Sequence, residues 1–274
     1  MRVAAYQAPY LPFGSLDGIG LIAGQLGLCE AAGVDVLCCP EAVIGGLAHE
    51  SDGQSPADVA LNVEDGELVD VLAPLMTTTV TLVVGFTERA QSGDLYNSAA
   101  VVVDGDLALV YRKVFPGYRT VIKAGSTLPV VWRGPSSFGV IICNDIWYLE
   151  PARVLAAAGA AVLFVPSHSG HCREGAPTAR LQARGENLPI ARAVENTCAV
   201  VVADVTGRQE GRVALGTSRI IDPDGAVLAC ADPCRTSLLV AEVEGERRPS
   251  DPRGWDGFTN PMVTNAFLGL WNPD

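Results

Sequence analysis

Phe138-Gly139-Val140-Ile141-Ile142-Cys143-Asn144-Asp145 is an apolar run that stops on a thiol, an amide and a carboxylate. The run is short and apolar throughout, so it predicts a strand over Phe138–Ile142 that is buried on both faces. Cys143 then stands at the strand's end. Loops there expose side chains while the sheet holds them in place. A helical turn starting at Cys143 would aim main-chain N–H groups at its sulfur, which favours a thiolate and can bind an oxyanion. Asn144 and Asp145 suit such a turn.

Two other strand ends share this design. Val34–Cys39 reads as a buried strand closed by Pro40, and Glu41 follows. Leu107–Arg112 reads as a strand that ends on Lys113. Each residue alone has an ordinary reading. A thiol at the end of an apolar strand is most often a packing residue. Glu41 alone is a strand-end carboxylate or helix-cap aid, and Lys113 alone a surface cation. Brought together, they form a nucleophilic apparatus. The carboxylate takes the thiol proton, the thiolate attacks a carbonyl or nitrile carbon, and the ammonium steadies the developing negative charge.

Around these positions, strand-like runs alternate with helical stretches. Arg2–Gln7, Thr79–Glu88, Asn97–Val103, Ala161–Val165, Ala199–Asp204, Arg219–Asp222 and Leu238–Val243 read as strands. Asp104-Gly105-Asp106 joins two of them as a hairpin turn. Asp17–Ala32, Glu67–Thr77, Pro151–Ala158 and Ala176–Asn196 read as helices, the first interrupted by glycines and the last kinked or broken at Pro189. Buried strands mixed with hairpins predict α/β sheets covered by helices on their outer faces.

Composition narrows the function classes. The 274-residue chain is 49% hydrophobic and carries a formal net charge of −12, which suits a packed core and disfavours nucleic acid and anionic membrane surfaces. No apolar run reaches the length of a membrane span, and Met1-Arg2 leads into a strand without a secretory apolar segment. The expected home is the cytoplasm, with the eight cysteines as free thiols. Cys230-x3-Cys234 and the cluster His168, His171 and Cys172 lack the second ligand pair that a zinc site needs. Lysine is rare: only Lys113 and Lys123 stand among the basic residues.

Several motifs resemble those of the nitrilase, or carbon–nitrogen hydrolase, superfamily. They are Val36-Leu37-Cys38-Cys39-Pro40-Glu41, Tyr96-Asn97-Ser98-Ala99 through Tyr111-Arg112-Lys113, and Gly139 to Asp145. Arg192-Ala193-Val194-Glu195-Asn196 and the run from Gly216-Thr217-Ser218 to Gly225 add to the likeness. The resemblance covers residues 1–245 as one domain and implies a four-layer αββα sandwich. It implies a Glu-Lys-Cys triad at Glu41, Lys113 and Cys143, no metal or organic cofactor, and a homodimer or higher homo-oligomer. The apolar, aromatic tail 246–274 is expected to pack on the body or on a partner subunit.

Two departures from the family pattern stand out. Most active members have a further Glu after the lysine, but no Asp or Glu lies between Val114 and Ile142, and Tyr118 stands about where that Glu would be. Asp204 occupies a position where the family often has Asn, a change expected to act on local hydrogen bonding. After Cys143 the chain lacks the Cys-Trp-Glu of true nitrilases; Cys-Asn-Asp is similar to amidases and N-carbamoyl-D-amino-acid hydrolases. The latter usually follow with two arginines, where Ile146 and Trp147 stand here. The expected activity is therefore hydrolysis of a small amide that needs no carboxylate clamp. Asn144, Trp147, Tyr118 and His168 are the candidates for oxyanion and substrate contacts. A carbamoylase or nitrilase, a noncatalytic scaffold, and an acyltransferase using the same thioester are the alternatives.

Overall fold

The structure is a computed structural model that describes residues 1–170 and 172–246. The first strands are β1 (Arg2–Pro9), β2 (Val36–Cys38), β3 (Leu61–Asn62), β4 (Thr81–Arg89), β5 (Leu95–Val103) and β6 (Asp106–Arg112). There follow β7 (Val130–Arg133), β8 (Ser136–Val140), β9 (Val162–Pro166), β10 (Cys172–Arg173) and β11 (Ala199–Ala203). The last are β12 (Val205–Gln209), β13 (Arg212–Leu215), β14 (Arg219–Ile221), β15 (Val227–Cys230) and β16 (Ser237–Glu242). The α-helices are α1 (Gly18–Ala31), α2 (Glu67–Leu72), α3 (Leu149–Ala157) and α4 (Ala179–Asn196).

The strands form two sheets. One runs β10-β13-β12-β1-β2-β4-β5-β6, with β16 also beside β1 and β3 beside β4. The other runs β15-β14-β11-β9-β8-β7. The period-2 alternation of β2 shows how they stack. Val36 and Cys38 enter a core shared with Phe138, Phe164 and Val201 of the second sheet. Leu37 and Cys39 point the other way, onto Ile22, Leu26 and Cys29 of α1. On the far side, Ala152 and Leu155 of α3 and Ala193 of α4 pack on Leu163 and Val200. Helices thus cover both outer faces of a sheet pair, giving the αββα sandwich.

Several boundaries differ from the sequence reading. The glycines of α1 do not break it, because its buried stripe of Gly18, Ile22, Leu26 and Cys29 keeps helical spacing against the sheet. The helix expected over Glu67–Thr77 ends at Leu72 and tightens into a 3-10 turn, Ala73–Leu75. Pro74 explains this, since it lacks an N–H and disfavours the α region before it. Pro189 does not break α4, which runs unbroken to Asn196. There Arg219 Nη1 donates to Glu186 O at 3.1 Å, supplying a donor from outside the helix next to the turn that Pro189 weakens. The strands β7, β12, β13 and β15 were not expected. The tail from residue 247 onward and His171 lie outside the described residues.

Candidate active site

Three strand ends of the two facing sheets meet at one edge of the sandwich. After β2 the chain turns at Pro40–Ala42 across Gly85 of β4. A Cβ on Gly85 would sit 2.6 Å from the Glu41 Cα, so only glycine lets the two backbones approach. The Glu41 N–H donates to Ser167 O at 3.2 Å, which anchors the carboxylate's base to the second sheet. Lys113 follows β6, and its N–H donates to Asn97 O of β5 at 2.9 Å. The side chains then converge. Lys113 Nζ lies 2.5 Å from Glu41 Oε1, and Asn97 Nδ2 donates to the same oxygen at 2.6 Å. Glu41 and Lys113 are 1% and 4% exposed, so this ion pair is shielded from water. One residue, Asn97, thus holds Lys113 by its main chain and Glu41 by its side chain.

Cys143 opens a 3-10 turn, Cys143–Trp147, just beyond β8. Its φ of 41° lies in the left-handed region, a strain of about 1–3 kcal/mol for a residue with a Cβ. Ala42 and Tyr118, at φ 46° and 42°, share this conformation, so strained backbone surrounds the site. Asp145 holds the turn in place. Its carboxylate accepts from Ile142 N–H at 2.9 Å, Tyr111 OH at 2.8 Å and Phe115 N–H at 2.7 Å. It therefore ties the Cys143 turn to the segment that carries Lys113. From behind, Arg192 of α4 donates to Ile146 O at 3.0 Å and pairs with Glu195 at 2.8 Å.

Electrostatics couple the three groups. Burial pushes the Cys143 thiol well above its ordinary value, and the Glu41 charge adds to this while Lys113 opposes it. The thiol is accordingly neutral at rest. Burial alone would lower the Lys113 pKa, but carboxylates opposite it, Glu41 first, outweigh this, and the net direction is upward. Lys113 therefore keeps its proton.

This geometry coincides with a family match. Residues 2–250 match the carbon-nitrogen hydrolase family model. The chain belongs to the carbon–nitrogen hydrolase family. It is similar to a hydrolase in the pqqF 5′ region of Pseudomonas protegens, 30% identical over 84% of this chain and 79% of that one. It is also similar to an (R)-stereoselective amidase of Pseudomonas, 34% identical over 72% and 69% of the two chains. An amidase from Nesterenkonia has the same fold, with a TM-score of 0.79, 21% identity, and 98% and 100% of the two chains covered. A variant of that amidase has been solved in complex with butyramide. The present chain is a hydrolase of carbon–nitrogen bonds other than peptide bonds.

Two cavities of this carbon–nitrogen hydrolase meet at Lys113. The larger, about 290 Å³, is lined by Cys143, Asn144, Ile146, Trp147 and Leu215. The smaller, about 170 Å³, is lined by Glu41, Asn97, His49, Glu50 and Tyr118. The sequence candidates divide between them. Asn144 borders Cys143, and its side-chain Nδ2 donates to Phe115 O at 3.0 Å. As the second residue of the turn, its main-chain N–H has no acceptor within it. Trp147 lies on the same wall, with the Arg184 guanidinium 4.7 Å over its ring. Tyr118 lies on the Glu41 side, where its OH donates to Gln54 O at 3.4 Å. His168 also reaches Cys143. Its main-chain carbonyl, not its ring, meets Cys143, with the sulfur 4.0 Å away. The ring packs edge-on against Tyr10, and its Nδ1 accepts from Gly170 N–H.

Sequence reasoning assigned no role to Asn97 and placed Asp145 only in a turn. Asn97 was visible within the Tyr-Asn-Ser motif, but nothing local signals its contact with Glu41. Among the described residues there is no group of three or more His, Cys, Asp or Glu placed to hold a metal ion. No described helix is long and apolar enough to cross a membrane.

Proposed function

We propose that this hydrolase is a thiol amidase that cleaves a small amide through a Cys143 thioester. Glu41 accepts the thiol proton as sulfur attacks the amide carbonyl. The Lys113 ammonium and the Asn144 N–H hold the tetrahedral oxyanion. Glu41 then passes the proton to the departing ammonia or amine, and afterwards activates water against the thioester. The observation that carries this reading is the buried Glu41–Lys113 pair, whose lysine lines one cavity with Cys143. A thiol of raised pKa needs a base at the moment of attack, and Glu41 is the carboxylate that couples to it most strongly. The butyramide complex of the Nesterenkonia amidase supports a small aliphatic acyl group.

The test is ammonia release from a panel of amides, carbamoyl compounds and nitriles. Wild-type enzyme is expected to turn over at least one amide. Cys143→Ala keeps the Cβ and the fold and is expected to abolish turnover; unchanged activity would sink the assignment. Added amines with no amide product would exclude the acyltransferase alternative. We also infer a homodimer. Val154 of α3, Val194 of α4, and Val227 and Leu228 of β15 stay 40–51% exposed, apolar side chains that a partner subunit would cover. Light scattering should give twice the 28.7 kDa chain mass, and a monomer would contradict the inference.

A further inference from the structure

The wall of the larger cavity contains a carboxylate that the proposed reaction does not use. Asp204 follows β11, is fully buried, and lines the same cavity as Cys143. Its Oδ1 accepts from the N–H groups of Ser169 at 2.9 Å and Val205 at 2.8 Å. Its Oδ2 accepts from Thr217 N–H at 2.8 Å and Thr217 Oγ1 at 2.7 Å. All four donors are neutral, and together they take up the lone pairs of the two carboxyl oxygens. No Lys or Arg pairs with it among the described residues.

None of the nearby cations pairs with Asp204. Lys113 is matched by Glu41, and Arg219, whose Nε donates to Thr217 O at 3.2 Å, is matched by Glu186 at 3.8 Å, while the Arg184 guanidinium lies 4.7 Å over the Trp147 ring. Arg119 is exposed at the rim, where its Nε donates to Pro116 O at 3.4 Å. The rest of the wall includes Ile146, Trp147, Leu181 and Leu215, whose apolar surfaces screen a charge less than water does. Thr217 relays the charge. Thr217 lines the cavity, and with its hydroxyl hydrogen committed to Asp204 its Oγ1 keeps a lone pair with which to accept. The two cavities also have distinct tasks. Glu41 lines the smaller one and protonates the departing nitrogen, so the leaving group sits there and the acyl part sits beside Asp204.

We propose that Asp204, acting through Thr217, sets the charge preference of the acyl cavity: it takes amides whose acyl part combines an apolar group with a protonated amine, and turns away acyl parts that carry a carboxylate. This rests on the amidase reading of Cys143. Asp204 would be a specificity residue, not a catalytic one. The Cys143 thiol feels the same field, since the Asp204 charge is among those that hold it protonated.

The first test compares kcat/KM for 2-aminobutanamide, 2-methylbutanamide and 2-ethylmalonamate, which are similar in size and differ in charge. The assay runs at about pH 6.5, below the pKa of about 8 of an α-amine. The cationic amide is expected to exceed the neutral one by about tenfold or more, with the anionic one slowest; tenfold corresponds to about 1.4 kcal/mol. Asp204→Asn should bring the three toward parity. Thr217→Val, which keeps the charge and removes the lone pair, should lose part of the preference. A wild-type ratio near one, or a ratio that survives Asp204→Asn, would overturn the proposal. The wild-type ratio decides the matter even if the variant fails to fold.

A second measurement needs no turnover. Cys143 is modified with 2-aminoethyl and 2-sulfonatoethyl methanethiosulfonate, and its peptide is followed by mass, because Cys230 and Cys234 are exposed and also react. The cation-to-anion rate ratio, normalised to a free thiol, should fall about tenfold in Asp204→Asn. An unchanged ratio overturns the proposal whatever the amide assay gives. Absence of Cys143-dependent amide hydrolysis together with a preserved ratio effect would instead remove the amidase reading.

Discussion

Glu41→Gln is expected to slow turnover while making Cys143 easier to alkylate. Loss of a general base costs about 10²–10⁴-fold in kcat. The same change removes a negative charge that holds the thiol protonated, and leaves the Lys113 charge to favour the thiolate. Each unit by which the thiol pKa falls raises the thiolate fraction tenfold, so alkylation by iodoacetamide near neutral pH should rise by about that factor. Stability should fall as well. Breaking a buried pair costs about 3–5 kcal/mol when one partner is removed, and the Gln oxygen, still able to accept from Lys113 Nζ, places the loss at the lower end. Peptide-resolved alkylation and ammonia release on the same preparation measure both effects. If both rates fall together, the Glu41 charge is not what keeps the thiol protonated.

The raised thiol also fixes a pH dependence. The native state holds a proton that the unfolded chain gives up above about pH 8.5. The native state then binds more protons than the unfolded one, so stability falls as pH rises through that range. The contribution is fully present below the unfolded value and lost once pH passes the native one. Cys143→Ala should make that part of the stability curve less steep, measured by urea denaturation at several alkaline pH values, while the buried thiols of Cys29, Cys38 and Cys39, raised in the same direction, keep the rest of the slope.

The strand ends that carry Glu41, Lys113 and Cys143 were legible because their signal is local: an apolar run that stops on a reactive side chain. The layers were legible too, since two-faced burial of β2 and β8 and the stripe of α1 are periodic patterns. What stayed hidden depends on distant partners. Asn97 is 56 residues from Glu41 in sequence, and Asp145 is 34 from Tyr111. Both are short polar side chains with ordinary local readings as strand and turn residues. Asp204 read as a local hydrogen-bonding change, because nothing in its own segment shows that Ser169 and Thr217 bring it to the cavity wall. His168 was legible only as part of a loop at a strand end, and residue type gave no sign that its carbonyl, 4.0 Å from the Cys143 sulfur, is the group that meets the site. The strands β7 and β15 escaped notice because they are short, and much of each is exposed at a sheet edge, where apolar patterning is weak.

Asp145→Ala is expected to be the most destabilising single change at the site. It leaves Ile142 N–H, Tyr111 OH and Phe115 N–H without their acceptor. Each buried orphan costs about 1–3 kcal/mol, so about 3–9 kcal/mol is at stake. Burial pushes the Asp145 carboxyl up, with Lys113 and these donors opposing, so its removal also relieves a desolvation cost and draws the net toward the lower figure. Tyr111→Phe removes a single hydrogen bond and should cost about 1–2 kcal/mol. The two effects should be strongly non-additive, because both changes break one shared contact. Activity should fall as well, by about 10²-fold, because the strained Cys143 turn loses its tie to the Lys113 segment. Thermal unfolding and ammonia release separate the two roles. A large loss of kcat with unchanged stability would place Asp145 in the chemistry itself, whereas a joint loss, partly restored by Asp145→Asn, marks a residue that positions the nucleophile.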